Sequence, residues 1–347
     1  MPPDPDLDLD TAHGPAGAGR RSVLLSAAAL ALTAASGCSD TASRTSRHPR
    51  LSAPTASGSS SAGATAPVAG LPHTTAWRPN AADVDPGVKL RAAQLIEALG
   101  TWQAGGGSVA KARARVTALG LPGALADQAG PLLSGADEAV LQVVDAQYGG
   151  ILTDSASVLV VCRQWSRSGG GPVTGGGTTV DVRLSRARPR WSVTALHPAA
   201  PGPPSRSLSD TARRVLADRR ISLPPASAAD VRSGRVHTSA LKAMLRLAGS
   251  YRIDVSVVRS GHPLDVFGTH RPSDHPLGRA FDVWRINGRP VVAASTPRSL
   301  IESFMRDAAA AGSYNVGGPV RLGGGATANQ FFSDATHHDH VHAGFTS

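Results

Sequence analysis

The chain has 347 residues, with 35 Lys and Arg against 25 Asp and Glu, a formal net charge of +10, and hydrophobic and aromatic contents of 41% and 4%. Domains commonly run roughly 100 to 200 residues, so this length predicts two folded units plus tails, while 38 Gly and 26 Pro argue against a membrane channel and for long flexible stretches. The positive charge suits an acidic partner such as nucleic acid, anionic lipid or an anionic polymer, and two cysteines, Cys38 and Cys162, cannot supply a disulfide framework once the first is assigned to the N-terminal segment.

In chain order, Arg20-Arg21 precede an apolar run over residues 23–35 that ends in Ala35-Ser36-Gly37-Cys38. The run is shorter than the ~20 residues that cross a bilayer, so residues 1–38 read as an export signal. Cys38 after Ala-Ser-Gly resembles the lipobox of bacterial lipoproteins, which implies acylation of Cys38 and an extracytoplasmic, membrane-anchored protein. The paired arginines also resemble a twin-arginine signal. Residues 39–80 are rich in Ser, Thr, Ala, Gly and Pro and read as a disordered tether.

Residues 81–197 predict a small α+β domain. Val88, Leu90, Ala92, Leu95, Ile96 and Leu99 recur at mostly helical spacing, residues 109–121 form a second helix, and β-prone runs follow at 141–152, 156–165, 178–184 and 191–196. Cys162 reads as a small buried hydrophobe. No clustered acid, base or ligand set appears there, so this domain reads as a structural or substrate-presenting module.

Pro198, Pro201, Pro203 and Pro204 mark a stiff linker at residues 198–207. Beyond it, residues 208–347 predict helices at 209–220 and 238–248, strands at 253–259 and 280–286, and a hairpin turn at Asn287-Gly288, where both residues tolerate positive φ. A helix capped by Thr296, with Pro297 in its first turn, then carries Leu300, Ile301, Phe304, Met305 and Ala308 on one face and ends at Gly312. A strand at about 340–345 closes the chain. The expected class is α+β, with the C-terminal helices packed on a mostly antiparallel sheet.

Seven of the twelve histidines, His262, His270, His275, His337, His338, His340 and His342, fall in this last segment. Imidazole is the commonest zinc ligand, and two imidazoles with one carboxylate leave a tetrahedral position for water. In His340-Val341-His342 the two rings share one strand face. Asp282, in Ala280-Phe281-Asp282-Val283-Trp284, points opposite Phe281 and Val283, and His275 precedes it in a Pro-Gly loop. His262, His270, His337 and His338 read as supporting, surface or loop residues.

Ser273-Asp274-His275-Pro276-Leu277-Gly278-Arg279-Ala280-Phe281-Asp282 matches, at every fixed position, Ser-x-His-x-x-Gly-x-Ala-x-Asp. The segment thereby resembles the zinc D-alanyl-D-alanine carboxypeptidase and dipeptidase family, which groups with lysostaphin-type endopeptidases and the hedgehog signalling domain; there a C-terminal His-x-His supplies the third ligand. The resemblance, which begins at about Arg252, implies that His275, Asp282 and His342 hold zinc. It implies further that Gly278 and Ala280 are small so that the loop passes close to the metal, and that Ser273 braces the loop by hydrogen bonding. Carboxypeptidase members carry Glu three residues before the last His and usually Trp beside it, where this chain has Asp339 and Val341. Asp339 and His340 are therefore rival bases, and Arg259 resembles an arginine that binds substrate or steadies the oxyanion. The activity implied is hydrolysis of peptide bonds in peptidoglycan stem peptides, by a carboxypeptidase or an endopeptidase, with a lipid anchor and no nucleic-acid partner. The alternative is a non-catalytic, zinc-containing wall-binding or signalling lipoprotein.

Overall fold

The computed structural model describes residues 70–347; Cys38 and the segments expected to form the export signal and, up to residue 69, the tether lie outside the described residues. Residues 70–80 carry no regular structure, and Trp77 packs on the first core. Asp85 accepts the Gly87 N–H to cap α1 (Pro86–Gly100), whose Pro86 stands where a missing N–H costs least. Ser108 caps α2 (Val109–Ala118) in the same way.

Strands β1 (Glu138–Ile151), β2 (Ser155–Arg167), β3 (Thr174–Gly176), β4 (Thr179–Ser185) and β5 (Ser192–Pro198) form an antiparallel sheet in the order β1-β2-β4-β5, with β3 on β2. Side-chain alternation gives β2 two faces. Val158, Val160 and Cys162 join the core with α1, whereas Leu159 and Val161 meet Val257 of the second half. Burial pushes the Cys162 thiol up to about 12, in keeping with a packed, unreactive residue.

The second half runs α3 (Asp210–Ala217), β6 (Ile221–Ser222), α4 (Pro225–Arg232), α5 (Thr238–Ala248), β7 (Ile253–Val255), β8 (Ala280–Ile286), β9 (Arg289–Pro290), α6 (Arg298–Ala310), β10 (Asn315–Gly317), β11 (Phe331–Phe332) and β12 (Val341–Gly344). Its sheet has the order β11-β10-β12-β8-β7-β6, with β9 on β8. Phe281 and Val283 of β8 join Leu241, Met244, Phe304 and Met305 in one core, so the class is α+β. The turn after β8 is tight, with positive φ at both Asn287 and Gly288.

Several elements depart from the sequence expectation. Strand β7 stops at Val255, after which Ser256 N–H donates to the Asp282 carbonyl and Asp282 N–H to the Val257 carbonyl. Thr296 does not cap α6. Its hydroxyl donates to the Pro290 carbonyl, and Pro297 holds the cap position without a side-chain bond. The Pro-rich linker is pinned, because Ser205 N–H donates to the Arg232 carbonyl. Among the described residues no helix is long and apolar enough to cross a membrane.

Candidate metal centre

Strands β8 and β12 are antiparallel neighbours in which His342 lies directly opposite Asp282, so both side chains share one face. His275 reaches the same point from the loop before β8. Its ring position is fixed because Nδ1–H donates to the Val258 carbonyl over 2.9 Å; the carbonyl can only accept, so the neutral ring presents its lone pair at Nε2. That atom lies 3.1 Å from Asp282 Oδ1 and 3.2 Å from His342 Nδ1, and Oδ1 and Nδ1 are 3.0 Å apart. Three acceptor atoms this close repel one another unless a cation or a proton lies among them. A tetrahedral ion with bonds of about 2.0–2.1 Å sets its ligands about 3.3 Å apart, close to the observed triangle.

His262 also approaches. It, His275 and Asp282 each bring a ligand atom within 4.8 Å of one another, so this group could hold a metal ion. The His262 ring, however, stacks on His275 with centroids 4.1 Å apart and planes at 17°. In-plane lone pairs on nearly parallel stacked rings do not converge on one ion. His275 and His342 have centroids 5.1 Å apart at 56°, near the separation of about 5 Å expected for two imidazoles on a tetrahedral ion. We therefore read His262 as a platform: Nδ1–H donates to the Pro263 carbonyl, and burial, followed by the neighbouring His275, holds its pKa well below the ordinary value.

Burial disfavours ionised Asp282, but the facing His275 and His340 rings overcome it and hold the carboxyl well below the usual range. Burial brings His342 down to about 4, so its ring is neutral at pH 7 and its nitrogen free to ligate. Oδ2 of Asp282 accepts from Gln147 Nε2 over 2.7 Å.

The rival bases separate by geometry. Asp339 lies before β12 and turns away from Asp282. Its Oδ2 lies 2.6 Å from Lys89 Nζ and accepts the Tyr148 N–H at 3.0 Å, while Oδ1 accepts from His340 Nδ1 at 2.6 Å. Asp339 thus orients His340 and does not face the ligand triangle. His340 Nε2 lies 3.8 Å from Asp282 Oδ2 and the ring lines the cleft. Burial lowers the His340 pKa, but Asp282 and the Asp339 bond outweigh it and raise it.

Arg259 is not part of the centre. Its guanidinium sits 3.3 Å from Asp230 and donates to the carbonyls of Ala200 and Pro201, because β7 ends early and the following chain turns Arg259 toward the linker. Gly278 is small for a reason other than closeness to a metal. Its φ is +72°, and a Cβ there would run into the Arg235 carbonyl. Ala280 opens β8 opposite Gly344. Ser273 Oγ accepts the His275 N–H at 3.4 Å and lies 3.4 Å from His262 Nδ1, a local and stretched version of the expected brace.

The triangle lies in a cleft of about 750 Å³, walled by Tyr148 and Gly149 of the first half and by Arg271, Tyr314, Asn329 and His337 of the second. His337 donates from Nδ1 to Asp334, His338 Nε2 donates to the Ala82 carbonyl, and His270 is exposed. Lys89 and Gln147, both from the half without an assigned role, were not anticipated as site residues. Compared with known proteins, the chain matches no family model, no curated protein and no solved structure.

Proposed function

We propose that the chain is an exported zinc-dependent peptidase that hydrolyses peptide bonds in peptidoglycan stem peptides, anchored to the membrane through Cys38. The observation that carries this reading is the convergence of His275 Nε2, Asp282 Oδ1 and His342 Nδ1 within 3.2 Å in an open cleft beside His340. The Ser273 to Asp282 motif supports it by resemblance. The three residues would hold zinc with a fourth position left for water. Zinc so bound supplies a Lewis acid that activates water and polarises the scissile carbonyl.

The remaining chemistry belongs to the chain. His340, its Nδ1–H held by Asp339, turns Nε2 to the cleft, where it takes the proton from the attacking water and returns it to the leaving amine. The protonated ring then faces the charge developing on the carbonyl oxygen. The walls from both halves enclose an extended peptide and limit the water around it.

The test is digestion of intact peptidoglycan by zinc-loaded full-length protein, with mass analysis of the released fragments. Loss of a terminal D-alanine marks a carboxypeptidase, and separated cross-linked stems mark an endopeptidase. Binding without any released fragment would sink the enzyme reading in favour of a zinc-pinned wall-binding protein.

A further inference from the structure

Gln147 lies in β1 between Ala146 and Tyr148, which belong to the first core, so strand alternation turns its amide away from that core and toward the second half. It is 1% exposed. A buried amide is costly unless its donor and acceptor are both used, and here both uses fall on the metal centre. Nε2–H donates to Asp282 Oδ2 over 2.7 Å, and Oε1 accepts from Ser256 Oγ. The amide orientation follows from chemistry, since an ionised carboxylate can only accept. Ser256 is fully buried and its backbone N–H donates to the Asp282 carbonyl at 3.0 Å. Gln147, Ser256 and Asp282 therefore form a closed hydrogen-bonded set joining the two halves, and Asp282 Oδ1 alone is left facing His275 and His342.

Resting on the metal-site reading above, we propose that Gln147 is a positioning residue for the metal centre: it holds Asp282 in one-oxygen ligation, which makes the N-terminal half a working part of that centre and not a separate module. A carboxylate without this partner turns about its last torsion and presents either oxygen or both. The charge-assisted bond from Gln147 removes that freedom before metal arrives. Partners of this kind typically change metal affinity by about 10- to 100-fold.

The test titrates metal-free full-length protein with zinc in competition with a chromogenic chelator, and records the visible spectrum of the cobalt(II)-loaded form. Gln147→Met keeps the length of the side chain and removes both polar ends. It is expected to weaken zinc binding about 10- to 100-fold and to shift the cobalt bands, while far-UV circular dichroism of the metal-free chain stays that of the wild type. Ser256→Ala, which loosens Gln147 without removing it, is expected to give a smaller loss in the same direction. Wild-type affinity and an unshifted spectrum in Gln147→Met would overturn the proposal. Should that variant not fold, Ser256→Ala decides: weakened binding supports the proposal and unchanged binding overturns it. A wild type that binds neither metal removes the metal reading itself, an outcome distinct from equal binding by wild type and variants.

Discussion

Asp339 gives both carboxylate oxygens to donors within the protein, so neither is available to the water of the proposed reaction, whereas the His340 ring lines the cleft. His340→Gln should lower turnover about 10²- to 10⁴-fold with bound zinc unchanged, and Asp339→Asn should cost less because it acts through His340. A larger loss in Asp339→Asn, measured as kcat at equal zinc content, would make Asp339 the base. Acid stability offers a separate check on the same carboxylate. Burial alone would raise the Asp339 pKa, but the Lys89 charge and the His340 bond bring it down to about 2. A carboxyl lowered in the folded state adds stability that is complete above its unfolded pKa of about 3.9 and is lost as pH falls toward 2; the size here is about 2 to 3 kcal/mol. Lys89→Met should lose about 3 to 5 kcal/mol at pH 7, because Asp339 and Asp83 then lack their buried cation. It should also show less loss than the wild type, or a gain, between pH 4 and 2. Urea unfolding of the metal-free proteins across that range measures both, and parallel acid losses would sink the assignment.

At the scale of elements, the loop before β8 depends on Gly278, which combines a φ of +72° with close approach to the Arg235 backbone. Gly278→Ala should cost at least about 1 to 3 kcal/mol and displace His275, three residues earlier, so both the thermal midpoint of the metal-free chain and zinc affinity should fall. Retention of both would show that the loop relaxes freely. The strand that carries Asp282 and the helix in the core behind it were legible because their patterns are clean: Phe281 and Val283 alternate with Asp282, and α5 buries Leu241, Met244 and Leu247 at helical spacing. Helix α4 was not legible, since Ala226, Ser227 and Ala228 make no large apolar stripe and only Val231 does. Gln147 was hidden by backbone irregularity. Counting alternately from Leu141 puts residue 147 on the core face, but the register shift between Val143 and Asp145 moves Ala146 and Tyr148 there instead. Lys89 did leave a trace, because it stands in line with Ala93 and Ile96 on the apolar face of α1. A lysine at such a place requires a buried partner, yet nothing local in sequence identifies Asp339 as one.

The two halves belong to one compact unit, joined by the apolar contact of Leu159 and Val161 with Val257 and by the buried pairs Gln147–Asp282 and Lys89–Asp339. Separating them would leave both aspartates buried or newly hydrated without their partners, so opening one half penalises the other and the unit should unfold in one transition. The tryptophans allow this to be observed, since Trp77, Trp102, Trp165 and Trp191 lie in the first half and Trp284 alone in the second. All three proposed ligands, His275, Asp282 and His342, lie in the second half. A ligand that binds the folded state at about 1,000 times its Kd stabilises it by about 4 kcal/mol. Zinc at that excess should therefore raise the fluorescence midpoint, which reports mainly the first half, by as much as it raises the midpoint seen in far-UV circular dichroism, and a chelator should reverse both together. Two transitions, with zinc moving only one that tryptophan fluorescence barely registers, would mean that the halves fold independently and that the buried pairs between them carry no coupling.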